Sequence, residues 1–181
     1  MSDAEGPTVA PAPVDDVDDV TDLWIALAEG QRRHGSTLLA EPNRTAVREW
    51  VARSVVTGEI LVARDAGDEG DDGPIGFVGF SLDREGYERD RVRGTVSNLF
   101  VVPERRGEGV GADLLDAAER ALAAAGAEAV ALEALADNDR ARAFYADRGY
   151  DRHRVELTKS LGDSAGESPD AESADATDES G

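Results

Sequence analysis

The stretch Val101-Val102-Pro103-Glu104-Arg105-Arg106-Gly107-Glu108-Gly109-Val110-Gly111 carries an apolar run into a helical one through a loop with three alternating glycines. Ahead of it, Gly94 to Val102 closes on Leu99-Phe100-Val101-Val102, an apolar run bounded by turn residues, which predicts a buried strand. Behind it, Val110, Leu114, Leu115, Ala118 and Leu122 recur at helical spacing, and Gly126 is the stop. A strand that ends where a helix begins aims unpaired backbone N–H groups at one point, where the helix dipole adds positive potential. Such a junction suits phosphate, and its glycines let a ligand approach with no Cβ in the way. A nucleotide P-loop is excluded, because this chain has Gly111-Ala112-Asp113 where Gly-Lys-Ser/Thr is required. A dinucleotide fold places its glycines after the first strand of several βαβ units, whereas these come late. A turn that serves only tight packing is the plain alternative.

Working outward, Thr8 to Val14 is a weak strand broken by Pro11 and Pro13, which suits a sheet edge. Val20, Leu23, Trp24 and Leu27 predict a first helix, with Asp18 and Asp19 as candidate caps. Val47, Trp50, Val51 and Val55 predict a second, beginning after Pro42-Asn43 and ending near Gly58. The segment between them, Gly30 to Glu41, is irregular. Glu59 to Ala63 and Ile75 to Leu82 read as strands around an acidic turn from Asp65 to Gly73, and with Gly94 to Val102 they predict an antiparallel meander. Ala129 to Leu135 is a further strand, Asn138 to Asp147 a short helix stopped by Gly149, and Tyr150 to Thr158 a last strand. The order is β-α-α-β-β-β-α-β-α-β, an α/β fold with a mixed sheet and parallel pairing across the junction helix. Residues 1–159 form the expected single domain, and 160–181 an acidic tail expected to stay solvated.

The chain has 181 residues and a net charge of −20, from 39 acids against 19 bases. Removing the seven acids of the tail leaves −13 on the body, which excludes a basic face for nucleic acid. No apolar run approaches the roughly 18–20 residues of a membrane span, and Met1 to Glu5 does not read as a signal peptide, so a cytoplasmic setting is expected. With no cysteine there is no thiolate nucleophile or thiolate metal site. Lys159 is the only lysine against 18 arginines. This balance resembles proteins of cells that hold molar salt, where the Debye length of about 3 Å screens an acidic surface.

Two patterns stand in register with this layout. Arg106-x-x-Gly109-x-Gly111 spans the junction, and Asn138-x-x-Ala141-x-x-Phe144-Tyr145-x-x-x-Gly149-Tyr150 spans the later helix. The first resembles the Gln/Arg-x-x-Gly-x-Gly/Ala motif of the Gcn5-related N-acetyltransferase (GNAT) superfamily, and the second resembles that family's later motif. Either alone is weak; the two at this distance are specific. The resemblance covers residues 94–158 closely and extends, with the charge, to an acidic member of haloarchaeal type.

The resemblance implies the acyl-CoA N-acyltransferase fold and direct transfer of an acetyl group from acetyl-CoA to a primary amine, with no metal. It implies that the backbone of Phe100, Val101 and Val102 pairs with the pantetheine arm. It gives the amides of Arg106, Gly107, Glu108, Gly109, Val110, Gly111 and Ala112 to the pyrophosphate, with the Glu108 side chain turned outward. Asn138, Ala141 and Tyr145 share one helix face and form a wall of the pantetheine channel, while Phe144 points to the core. By the resemblance Tyr145 is the acid beside the thioester sulfur; packing alone is its plain reading. Many members carry a carboxylate on the fourth strand, where this chain has Ser97-Asn98. Glu133, in Leu132-Glu133-Ala134, is then the candidate base. Its spacing to Asn138 and Tyr145 resembles the ribosomal-protein N-terminal alanine acetyltransferase branch, in which a glutamate acts through water. A hydrogen-bonded strand residue is the alternative.

His34 and His153 have no metal-type spacing. Arg32-Arg33-His34 suits internal ion pairs better than contact with an acidic substrate. A non-catalytic acyl-CoA-binding module of the same fold, and an acidic interaction protein with an incidental glycine loop, are the rival functions. The acceptor, a peptide α-amine or a small-molecule amine, is not readable, and a homodimer is compatible with the family. The charge balance predicts that the protein loses structure in dilute buffer and regains it in molar KCl. Circular dichroism across a salt series checks this, and unchanged ellipticity in dilute buffer contradicts it.

Overall fold

A computed structural model describes residues 6–65, 73–83 and 89–161. Most of the predicted acidic turn at 65–73 and nearly all of the predicted tail lie outside them. Five strands form one sheet: β1 (Thr8–Pro11), β2 (Ile60–Arg64), β3 (Gly76–Leu82), β4 (Arg93–Val101) and β5 (Ala129–Leu132), in that spatial order. The first four pair antiparallel, and β5 runs parallel to β4. The proline-broken β1 takes an edge, as its missing N–H groups require.

Helices α1 (Val17–Gln31) and α2 (Arg44–Val56) cover one face of the sheet, α3 (Val110–Ala124) the other. In α1, Val17, Val20, Thr21, Trp24, Ile25 and Ala28 are buried, the stripe that 3.6 residues per turn places on one side. Strand residues alternate between the layers: Ile60, Val62 and Phe77 pack under α1 and α2, whereas Leu61, Ala63 and Val78 pack under α3. The short helix α4 (Asp139–Ala146) follows β5, and the Asn138 side chain caps it by accepting the Ala141 N–H at 3.1 Å.

One irregularity shapes the molecule. The β3–β4 register runs Gly76↔Val101 to Gly79↔Asn98, then resumes at Phe80↔Val96, so Ser97 is an extra residue in β4. Alternation slips there. Phe100 belongs to the layer under α1 and α2, while Val96, four residues earlier, belongs to the layer under α3. The β4–β5 ladder ends at the same place, with Val96↔Leu132 as its last pair.

Two expectations are corrected. Tyr150 to Thr158 forms no strand; residues 151–161 are exposed, Val155 and Leu157 among them. Gly149, at φ +83°, turns the chain after α4, and the Tyr150 hydroxyl donates to Glu119 at 2.6 Å. A crevice lined by Ala129, Val130, Glu119 and Asp151 separates this segment from β5, so its alternating pattern meets no ladder. The fifth strand also stops at Leu132 rather than Leu135, which leaves Glu133 just beyond its end.

β3 and β4 approach closely at Gly76, where a Cβ would stand 2.7 Å from the Phe100 carbonyl oxygen and 3.2 Å from Leu114. Backbone cannot yield as a side-chain tip does. Gly76→Ala is therefore expected to destabilise the fold by about 1–3 kcal/mol, read as a lower urea midpoint at unchanged slope; an unchanged midpoint contradicts the packing described.

Candidate functional site

The extra residue in β4 opens the sheet like a fork. Beyond Val96 the strand continues to Val101 without a neighbour on its β5 side. Val102 N–H donates to Ile75 O on the β3 side, so by strand alternation Leu99 and Val101 turn their backbone groups toward the gap. The Val101 carbonyl is met there by the Arg106 side chain, whose Nε–H donates at 2.8 Å. Phe100 and Val102 instead face β3 with their backbone, so the Leu99 backbone is a group the sequence reading missed. Ser97-Asn98 at the centre of β4 are the local trace of the bulge, blurred because Arg93 and Thr95 earlier in the strand are polar too.

At the end of β4 the chain passes through one 3-10 turn, Pro103–Arg105, and enters α3 through Gly107 at φ +87° and Gly109 at φ +91°. Both values lie in the left-handed region that side chains resist. The N–H groups of Gly107, Glu108, Gly109, Val110 and Gly111 donate to no backbone or side-chain acceptor among the described residues. Of the seven amides singled out by sequence, the other two are engaged: Arg106 N–H donates to Pro103 O and Ala112 N–H to Gly109 O. Glu108 turns its carboxylate to Arg105 at 2.8 Å, and Arg105 also pairs with Asp65 at 2.6 Å, so the acid is drawn off the loop.

Cations collect beside these amides. Burial, and then the neighbouring charges of Arg140 and Arg33, hold the Arg106 guanidinium below its ordinary value. None of the three forms an ion pair with a described residue. Ion pairs were expected of Arg32 and Arg33, but neither forms one with a described residue: Arg32 donates to Leu38 O, Arg33 to Gly30 O, and His34 Nδ1 lies 3.2 Å from Asp137 O. That last contact ties the end of α1 to the β5–α4 loop across the mouth of the fork.

Tyr145 and Phe144 project from α4 into the layer that also holds Leu99, Val101 and Leu132. The Tyr145 ring meets Phe144 edge-on at 5.3 Å and Tyr150 at 5.8 Å. Its hydroxyl has no hydrogen-bond partner among the described residues, and burial pushes its pKa above 10.0. Phe144 is half-buried, with Arg148 over its ring at 4.2 Å. Glu133 is exposed one residue past the last β4–β5 pair and makes no hydrogen bond with the described residues. His34 and His153 do not come together with other ligands: among the described residues no group of three or more His, Asp or Glu is placed to hold a metal. Among the described residues no helix is long and apolar enough to cross a membrane.

Comparison with known proteins accords with this geometry. No curated protein matches the chain in sequence. A GNAT-family N-acetyltransferase structure from Ralstonia eutropha JMP134 superposes with a TM-score of 0.67 at 23% identity, covering 87% of this chain and 100% of that one. A mutant BH1408 protein from Bacillus halodurans superposes at 0.73 with 22% identity, covering 85% and 99%. The NatC complex bound to Gag peptide and CoA superposes at 0.65 with 18% identity, covering 83% and 87%. Identities this low establish the fold alone. The acetyltransferase (GNAT) family model matches residues 24–150, most of the described chain. The chain belongs to the GNAT acetyltransferase family, whose members generally carry acyl groups from acyl-CoA to amines.

Proposed function

We propose that this chain is an N-acetyltransferase that takes its acyl group from acetyl-CoA and delivers it directly to a primary amine. The observation that carries the reading is the fork itself: a β4 edge that pairs with no described strand beyond Val96, leading to five amides with no described acceptor and three arginines with no described ion pair. The residues fit the coenzyme. Amides of Gly107 to Gly111 suit a diphosphate, with Arg106, Arg33 and Arg140 supplying the charge that phosphate requires. Leu99 and Val101 offer backbone groups to the amide links of a pantetheine arm. A neighbour of the same fold, the NatC complex, holds CoA and a peptide, which supports the same reading here.

Acetyl-CoA supplies a thioester-activated acyl group. Transfer forms an N–C bond and breaks a C–S bond; the ammonium sheds two protons in all, and the leaving thiolate takes up one. Tyr145 is suited to give that proton, because its hydroxyl is unpartnered and burial keeps it protonated. Glu133 stands where β5 leaves the ladder, opposite the bulge, and is suited to accept protons from the amine through water. Holding the two reactants in one gap supplies much of the acceleration. The homodimer and the salt-rich cytoplasmic setting remain parts of this proposal, supported by the family and by the charge balance.

Two outcomes follow. Arg106→Gln is expected to weaken acetyl-CoA binding about tenfold or more in calorimetry, the worth of a charged hydrogen bond, with the deficit shrinking as KCl rises; an unchanged Kd contradicts the assignment. Tyr145→Phe is expected to lower kcat by about 10²–10⁴ while the acetyl-CoA Kd holds. Because its pKa is raised, the wild-type rate should not fall from loss of the Tyr145 proton until above pH 10. Wild-type turnover in both Tyr145→Phe and Glu133→Gln assigns the chemistry elsewhere, and a protein that binds acetyl-CoA yet acetylates no amine is the binding module instead.

A further inference from the structure

A cavity of about 430 Å³ lies on the α1–α2 face, between the two helices and the bulge of β4. Its walls are Trp24 from α1, Val47 and Trp50 from α2, and Leu38 from the segment joining them; Ser97 and Asn98 close it at the sheet. The bulge creates it. The slipped alternation puts both Ser97 and Asn98 on this face, where an unbroken strand would present only one of them. Gly79 completes the seat: a Cβ there would stand 3.0 Å from the Trp50 ring and 3.1 Å from Ser97 Oγ, so its absence lets the indole lie on the strand. Leu38 stays 42% exposed at the rim, and Val47 and Trp24 are buried behind it.

We infer that this cavity selects the acceptor, and that the acceptor is a primary amine carrying a bulky apolar group next to the nitrogen. The inference rests on the transferase reading above and adds the substrate class. Ser97 begins the free edge of β4, so the cavity opens where an acyl group lying along that edge meets its amine. Its size falls within the roughly 300–1,000 Å³ of small-molecule sites, apolar with few polar groups. The charge pattern points the same way. In a chain with 39 acids, no acidic and no basic side chain among the described residues lines the cavity; its polar groups are the side-chain amides of Asn43 and Asn98, the Ser97 hydroxyl and the two indole N–H groups. A polyamine or aminosugar, carrying several cations, needs carboxylates around it, because ammonium groups desolvated without partners are costly. An apolar side group needs what is there: two indoles, Leu38 and Val47.

The chain's two tryptophans both line the cavity, so intrinsic fluorescence reports its occupancy directly. In molar KCl with CoA bound, the full chain is titrated with leucinamide, glycinamide and spermidine, and acetyl transfer to each is followed by thiol release. A leucine-first and a glycine-first hexapeptide form a further pair of arms, which distinguish a peptide terminus from a free amine as the source of the same group. Leucinamide and the leucine-first peptide are expected to shift the emission saturably and to exceed their glycine counterparts at least about a hundredfold in kcat/KM, since each methylene in an apolar pocket is worth roughly tenfold or more. Ala46→Phe, on the exposed side of the same wall, is expected to narrow the cavity and reduce the leucine-over-glycine ratio about tenfold. Equal or better turnover of glycinamide or spermidine overturns the inference while leaving the transferase reading intact. Coenzyme binding without acetylation of any acceptor overturns both.

Discussion

A sheet with helices on both faces has no reason to open unless one of its ladders fails, and here the failure is one residue long. Ser97 has no opposite number in the β3 register, its hydroxyl donating instead to the Gly79 carbonyl, and the parallel ladder to β5 ends one residue before it. On the β5 side beyond that point, the backbone groups of Leu99 and Val101 have no strand partner among the described residues. The Arg106 side chain satisfies one of them, the Val101 carbonyl, and the others face the gap. On the proposed reading, a ligand with alternating amides would pair with that edge as a further strand does. Its anionic end would then reach the loop where Gly107 and Gly109 hold positive φ and leave amides free. Bulge, gap and loop are consecutive along one strand, so a single local irregularity lines up the site.

The same irregularity acts on the opposite face. By slipping the alternation it places two polar residues, Ser97 and Asn98, under α1 and α2, where they end an otherwise apolar cavity. The two sides of the fork therefore differ in chemistry. One gathers Arg33, Arg106 and Arg140 around unpaired amides, and the other gathers Trp24, Trp50, Leu38 and Val47 around a neutral seat. On the proposed reading, that difference would sort an acyl donor rich in phosphate from an amine with an apolar side group.

What the sequence discloses is what local chemistry encodes. The junction at residues 101–111 was legible because left-handed glycines and a helix start are written in residue types, whereas Asn138, read from the sequence as part of a channel wall, caps α4 through the Ala141 N–H. β1 at the edge follows from its prolines. The bulge was not legible, because β4 is covered on both faces and Val96 and Phe100 are apolar whichever layer they join. The last strand was misread for a related reason: alternation in Tyr150 to Thr158 specifies a face only if a ladder exists, and the chain after Gly149 is drawn instead toward Glu119. Ion pairs were expected of Arg33 because an acidic composition offers partners everywhere, while the structure gives it the Gly30 carbonyl and a place near Arg106. Composition counts charges; it does not place them.

The most direct test of the fork is amide hydrogen exchange, residue by residue, with and without acetyl-CoA in molar KCl. Slowed exchange confined to Leu99, Val101 and the amides of Gly107 to Gly111 is the predicted result, with Phe100 and Val102, already facing β3, unchanged. Saturating coenzyme that leaves those amides exchanging as before, or that protects a different surface, would contradict it.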